Sequence, residues 1–159
     1  MKATDYLALV ISTCGVGYLP VMPGTYGSLV AVGIFLGLTR LAQGRELIAV
    51  VVVAILVSTF AGIWAADRTE QLSGRKDPRK VVVDEVAGQL ISLFPLTLFA
   101  HWSSVAVIIS FILFRFFDIV KPYPARRFEA FKGGLGIMCD DLVAGLYGAV
   151  ITSIFVAVF

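Results

Sequence analysis

Five acidic residues could do chemistry because each lies where a charged stretch of sequence meets an apolar one. Asp84-Glu85 and Asp140-Asp141 are adjacent pairs, and Asp118 follows a third apolar run. Carboxylate oxygens with no histidine cluster beside them are the ligands that hard cations such as Mg²⁺ prefer. Helix capping explains a single acid better, but two pairs and a fifth acid at one depth would repel one another unless a cation compensates. The pattern therefore favours a metal site.

Basic residues beside these acids indicate that the second ligand is an anion. Lys121 follows Asp118 closely, and two prolines hold it near that carboxylate, where it could bind phosphate as a point charge. Lys76 and Asp77 precede the first acidic pair, so they are further candidate substrate contacts, although such a charge run is ordinarily a solvated loop. Phosphate is the natural anion for this setting.

Three glycine-rich segments point to the same kind of ligand, since each precedes an apolar run that predicts a helix. The segments are residues 15–17, 23–28 and 133–136. Glycine lets backbone N–H groups approach an anion at the positive end of a helix. Close packing of small residues, which membrane helices also use, is the alternative explanation. The glycines therefore add only modest support for phosphate binding.

The elements that must position these residues are membrane helices. With 58% hydrophobic and 15% charged residues and a mean hydropathy of +0.92, the chain is too apolar for a soluble globular protein. Residues 47–66 carry no charge and would span about 30 Å as a helix, the thickness of the bilayer core. Further spans are predicted at 26–39, 81–100, 104–120 and 142–159. We expect one all-α domain over residues 1–159, a bundle of about five membrane helices, some of them short or re-entrant.

The basic residues predict the orientation of this bundle. If the segments 65–80 and 121–132 share a side, every lysine and arginine except Arg40 and Arg45 lies there, and the positive-inside rule makes that side cytoplasmic. The five acids then lie at the cytoplasmic ends of their helices. The net charge of +2 is modest and forms no basic stripe, so we expect no nucleic-acid partner.

The chain resembles the phosphatidylglycerophosphatase A family over nearly its whole length. Four ordered motifs carry the resemblance: GVGYLPVMPGTYGSL at 15–29, VDEVAG at 83–88, FRFFDIVKPYP at 114–124 and GGLGIMCDD at 133–141. The resemblance implies a Mg²⁺-dependent enzyme of the bacterial inner membrane, with its active site facing the cytoplasm. Its reaction would be hydrolysis of the terminal phosphate of phosphatidylglycerophosphate, which yields phosphatidylglycerol and inorganic phosphate.

Carried over by position, the resemblance assigns metal binding and catalysis to all five acids. These are Asp84, Glu85, Asp118, Asp140 and Asp141, and Lys121 and Thr25 become candidate phosphate contacts. The motifs do not say which acid binds metal and which acts as the base.

The sequence is also consistent with two other functions. One is a phosphatase of another lipid phosphomonoester, such as a polyprenyl phosphate. The other, from a different class, is a small ion transporter whose carboxylates form a cation pathway. A transporter would explain the acids but not the setting of Lys121 and the glycines. The oligomeric state and the number of metal ions are not indicated by the sequence.

Overall fold

The computed structural model describes residues 2–99, 102–128 and 131–159, and in these ranges the chain is helical, with short connections and no strand. The elements are α1 (Ala3–Thr13), α2 (Pro23–Leu41), α3 (Gly44–Ser73), α4 (Val83–Leu93), α5 (Ser104–Val120), α6 (Ala125–Phe128) and α7 (Gly133–Val158), with 3₁₀ turns at Val16–Tyr18 and Phe94–Leu98. The all-α fold predicted from the sequence is confirmed.

Helices α2, α3 and α7 are long and apolar enough to cross a membrane. The 30 residues of α3 extend about 45 Å, so its charged last turns reach beyond a hydrocarbon core of about 30 Å. Helix α5 has the predicted bounds, but its 17 residues fall just short of a full span. The predicted number of five spans is therefore approximate.

Helix α4 is shorter than the predicted span at 81–100. It ends at Leu93, and the chain continues as a 3₁₀ turn that contains Pro95. Proline has no N–H for an α-helical bond and disfavours the helical conformation in the residue before it, which accounts for the change. Position 100, the predicted end, lies outside the described residues. Helix α4 is packed between α2, α3, α5 and α7, and nearly all of its side chains are buried.

Helix α7 begins earlier than the predicted 142–159. It starts at Gly133, so Asp140 and Asp141 lie two turns inside the helix and not in front of it. The first turn of α7 packs against α3 so closely that a Cβ on Gly134 would overlap the carbonyl oxygen of Ile63. The glycines therefore allow α7 to begin at Gly133, before the start at residue 142 that polarity predicted.

Helix α1 attaches to the last turns of α3 through its polar side. Arg68 forms an ion pair of 2.7 Å with Asp5 and holds the pKa of Asp5 below its usual value. The hydroxyls of Ser12 and Thr69 lie 2.8 Å apart. The carbonyl of Ser12 accepts a hydrogen bond from the N–H of Val82, the residue before α4. Helix α1 thereby fixes where α4 begins.

The larger apolar cluster lies toward the C-terminal end of α4, and a smaller one that includes Val83, Ala87 and Met138 packs beside its start. Phe35, Leu90, Leu93 and Leu96 are buried in the larger cluster, and the ring of Phe35 lies 5.7 Å from that of Trp102. The first turn of α4, which carries Asp84 and Glu85, lies at the opposite end of the helix from Leu93.

Candidate active site

Asp84 and Glu85 enter the site on the first turn of α4. The hydrogen bond between Val82 and Ser12 fixes the chain just before this turn. Negative charge is favoured at a helix N-terminus, where the backbone N–H groups point outward. Asp84 is 8% exposed, so its charge is almost removed from solvent.

Helix α7 brings the second acidic pair against the first. The contact depends on small residues, because a Cβ on Gly145 would overlap the carbonyl oxygen of Gly88 on α4. At this approach one carboxylate oxygen each of Asp84, Glu85 and Asp141 lie within 4.8 Å of one another. Three carboxylates at this separation can share one cation.

The fourth carboxylate, Asp118, comes from α5 together with an arginine. Arg115 Nη1 lies 2.8 Å from Asp118 Oδ2, one turn along the same helix, and 3.9 Å from Glu85 Oε1. The same nitrogen lies 3.5 Å from the Ser28 hydroxyl of α2. Arg115 therefore connects α2, α4 and α5 beside the carboxylates.

The fifth carboxylate, Asp140, is paired with the predicted phosphate contact. Lys121 Nζ lies 2.5 Å from Asp140 Oδ2. Lys121 ends α5 in the left-handed conformation, with φ at 45°, which turns the chain away from the helix at this point. The described structure thus gathers all five predicted acids, here called the acidic cluster, at one end of the bundle.

A cavity of about 330 Å³ opens onto the acidic cluster and is here called the acidic cavity. It is lined by Met22, Pro23, Gly24, Asp77, Arg79, Val81, Asp84, Glu85, Arg115, Asp118, Ile119, Lys121, Asp140 and Asp141. The predicted contact Asp77 lies in this wall. Lys76 lines a neighbouring cavity of about 270 Å³ that shares Asp77 and Asp140 with the first.

Thr25 does not line the acidic cavity, although its neighbour Gly24 does. The glycines of segments 23–28 and 133–136 also differ from the prediction, because they lie within the first turns of α2 and α7 and not in loops before them. A Cβ on Gly24 would overlap the Glu85 carboxylate. The close contacts of these glycines support the packing explanation, and at Gly24 that packing shapes the site.

The electrostatics at the start of α4, which is outside the three candidate spans, favour a positive ligand. Burial raises the pKa of Asp84 to about 6. Burial, with the neighbouring Asp84 charge, holds the pKa of Glu85 well above its ordinary value. A bound cation would oppose both effects by stabilising the ionised carboxylates.

The donor atoms also fit a hard cation. Within the described ranges, Asp84 Oδ1, Glu85 Oε2 and Asp140 Oδ1 are buried and have no hydrogen-bond partner. A buried carboxylate oxygen without a partner is costly, so these atoms are suited to a ligand that supplies positive charge. Oxygen-only donors are typical of sites for Mg²⁺.

Two basic residues of the site were not among the predicted contacts. Arg79 and Arg115 both line the acidic cavity. The signal for Arg115 was in the sequence, since a charge inside an apolar helix needs a partner and Asp118 lies three residues away. For Arg79 the charge run 75–80 gave no way to choose one residue over another.

The fold and the site together define a helical bundle with candidate membrane spans and with carboxylates and basic side chains around one cavity. The family model of phosphatidylglycerophosphatase A (PgpA) matches residues 9–156, and the chain belongs to this family. The protein is accordingly a phosphatase, a hydrolase of phosphoric esters.

Individual relatives agree on the family but differ in their named substrates. An Escherichia coli (strain K12) phosphatidylglycerophosphatase A is 36% identical over 94% of this chain and 83% of its own. A Haemophilus influenzae phosphatidylglycerophosphatase A is 35% identical over 86% and 80%. A Bacteroides thetaiotaomicron protein named "Putative phosphatidylinositol-3-phosphatase" is 41% identical over 97% and 96%. No solved structure matches the chain.

Proposed function

We propose that the protein is a Mg²⁺-dependent phosphatase that hydrolyses phosphatidylglycerophosphate to phosphatidylglycerol and inorganic phosphate. The observation that carries the proposal is the meeting of three carboxylates, from Asp84, Glu85 and Asp141, within 4.8 Å in a cavity also lined by basic side chains. The named activity of the Escherichia coli and Haemophilus influenzae relatives supports this substrate.

Asp84, Glu85 and Asp141 would hold the Mg²⁺, with Asp118 and Asp140 completing the acidic cluster around them. When bound, the ion would neutralise charge on the phosphate and acidify a water molecule. Lys121 and Arg79 line the same cavity, where their positive charge attracts the phosphate dianion. Arg115 stays paired with Asp118 and faces Glu85, so it keeps that side of the site in place.

The reaction needs a nucleophile in line with the departing ester oxygen. In our proposal a water molecule attacks phosphorus, and Asp84 or Asp141 accepts its proton. The new bond joins phosphorus to the water oxygen, the bond between phosphorus and the ester oxygen breaks, and the ester oxygen takes the proton from that carboxyl group and leaves as the alcohol. A covalent aspartyl-phosphate is not favoured, because the DxDx[TV] sequence that usually accompanies one does not occur in the chain.

The active site is proposed to face the cytoplasm from the bacterial inner membrane. The N-terminal ends of α2 and α4, the C-terminal end of α5 and the first turns of α7 all contribute to the acidic cavity. The side of the bundle with these ends also carries the basic segments 75–80 and 121–132, which the positive-inside rule assigns to the cytoplasm.

A second candidate substrate is phosphatidylinositol 3-phosphate, another lipid phosphomonoester. The name of the Bacteroides thetaiotaomicron relative, at 41% identity, favours it. The proposed chemistry is the same for both lipids, because each presents a phosphate dianion on an alcohol at the membrane surface. Only the alcohol that leaves would differ.

Phosphate release from a panel of lipids tests the proposal. The purified protein in detergent is given phosphatidylglycerophosphate, phosphatidylinositol 3-phosphate or a polyprenyl phosphate, each with Mg²⁺ and with a chelator. We expect Mg²⁺-dependent release that is fastest from phosphatidylglycerophosphate. Faster release from another lipid would reassign the substrate, and full activity in the chelator would overturn the metal requirement.

One variant connects the activity to the site. Asp140→Asn should abolish Mg²⁺-dependent phosphate release, because it removes charge from the acidic cluster and from the partner of Lys121. Glu46→Gln is the matched control, since Glu46 is exposed at the start of α3, outside the acidic cavity. Equal activity of both variants would contradict the assignment.

A further inference from the structure

The acidic cavity has an apolar edge that phosphate chemistry leaves unexplained. Met22 and Ile119 line it together with the charged residues, and their exposed fractions are 58% and 69%. Arg79 and Lys121 belong to the same lining. One opening therefore joins basic side chains, suited to a phosphate, with large apolar side chains, suited to lipid.

Met22 and Ile119 lie where α2 and α5 come together. Met22 is the residue before α2, with φ at 47°. Ile119 lies one turn beyond Arg115, so the two side chains share a face of α5. Arg115 reaches Ser28 of α2 at 3.5 Å, so the edge of this face that carries Arg115 lies beside α2. The cavity thus has an edge between the first residues of α2 and the last turn of α5.

An apolar stripe on α5 continues from this edge. The stripe consists of Val105, Ile108, Ile112, Phe116 and Ile119, whose exposed fractions lie between 55% and 69%. Their spacing of three or four residues places them on one face of the helix. From Val105 to Ile119 the stripe runs about 21 Å, roughly two thirds of the thickness of a bilayer core. No acidic or basic side chain belongs to it.

We propose that the lipid substrate enters the acidic cavity sideways from the bilayer, between Met22 and Ile119, with an acyl chain lying along the apolar stripe of α5. The inference rests on the proposed function and adds to it how the substrate is held. The phosphate contacts the charged part of the cavity, while the acyl chain stays in the hydrocarbon. Arg115 lies at the edge of the stripe, where headgroup and chain would meet.

The test compares two substrates that share a headgroup and differ in their chains. Dioleoyl phosphatidylglycerophosphate keeps long chains for the stripe, whereas the dibutyryl form is too short to reach along it. Ile119→Trp places a bulky side chain at the opening. We expect it to lower the ratio of kcat/KM values, long chain over short chain, by about tenfold, as the loss of contact with two methylene groups would.

Val57→Trp is the matched control, because Val57 is an apolar side chain of α3 that is 61% exposed and does not line the cavity. Its ratio should equal that of the unaltered protein. Ile112→Ser removes an apolar contact halfway along the stripe, which only the long chain reaches, and it should lower the ratio in the same direction. An unchanged ratio in both Ile119→Trp and Ile112→Ser would overturn the lateral entry. If the unaltered protein hydrolyses neither substrate, the proposed function itself fails.

Discussion

The two ends of α4 differ in the kind of side chain that they bury, acidic at the start and apolar toward the end. At its start, the buried Asp84 and the partly buried Glu85 lie beside Asp141, and Asp84 and Glu85 each have a buried carboxylate oxygen with no hydrogen-bond partner among the described residues. Toward its end, Leu90 and Leu93 are buried among apolar side chains. Apolar residues gain little by exchanging lipid for protein, so close packing holds that end together. At the acidic end the carboxylates repel one another, and a bound cation would reduce this repulsion.

The largest effect is expected from removing charge at the acidic end. Asp84→Asn keeps the size of the side chain but loses a carboxylate of the acidic cluster. We expect phosphate release from phosphatidylglycerophosphate to fall by roughly 10²–10⁴-fold, the usual range for a lost acid–base group. The variant should still unfold near the temperature of the unaltered protein, because it removes a buried charge. Release within twofold of that of Glu46→Gln would show that the start of α4 is not the reactive centre.

A substitution at the apolar end of α4 should lower the stability of the protein and leave its catalysis unchanged. Phe35→Ala leaves a cavity beside Trp102, which should lower the free energy of unfolding by about 3–5 kcal/mol. Thermal unfolding in detergent measures the loss, and the KM of the folded enzyme should not move. Phe60→Ala is the matched control, because Phe60 is 68% exposed on α3 and faces no core. Equal unfolding temperatures for the two variants would contradict the importance of packing at this end.

Only part of this contrast could be predicted from the sequence. The apolar runs predicted the all-α fold and the bounds of α5, because helix formation in a membrane follows local hydropathy. The start of α7 could not be predicted, because it depends on contacts with α3, whereas the end of α4 follows a local signal, Pro95. Asp140 lies inside α7 although polarity placed the start of that helix at residue 142, since α7 packs through Gly134 and Asp140 pairs with Lys121.

The candidate site, too, could be predicted only in part, because some of its residues are placed by packing. The five acids were recognisable by residue type and position, and their functional roles remain proposals. Arg79 was hidden in a charge run, and its place in the cavity depends on how the loop before α4 is tied to α1. The packing role of Gly24 was also hidden, because residue type alone does not tell a glycine that cradles an anion from one that admits a neighbouring helix.

A smaller effect is expected from a substitution at Gly24, where α2 packs against the Glu85 carboxylate. Gly24→Ala would place a methyl group against the Glu85 carboxylate and displace it. We expect phosphate release to fall about tenfold, since small displacements of catalytic groups cost up to about 10²-fold. Gly33→Ala on the same helix is the control, because a Cβ there meets nothing within 4 Å. Its activity should be unchanged, with slightly higher helix stability. Equal activity of the two variants would mean that Glu85 is not positioned by α2.

The smallest effect is expected from the ion pair that ties α1 to α3. Arg68 lowers the pKa of folded Asp5, so the pair contributes stability above the unfolded pKa of about 3.9 and loses it as the pH falls through the lower folded value. The unfolding temperature should therefore drop more steeply on acidification in the unaltered protein than in Asp5→Asn. Taking the difference between the two proteins cancels the titration of the acidic cluster. Parallel curves below pH of about 4 would show that the pair does not stabilise the contact between α1 and α3, and would leave that contact to the hydroxyls of Ser12 and Thr69.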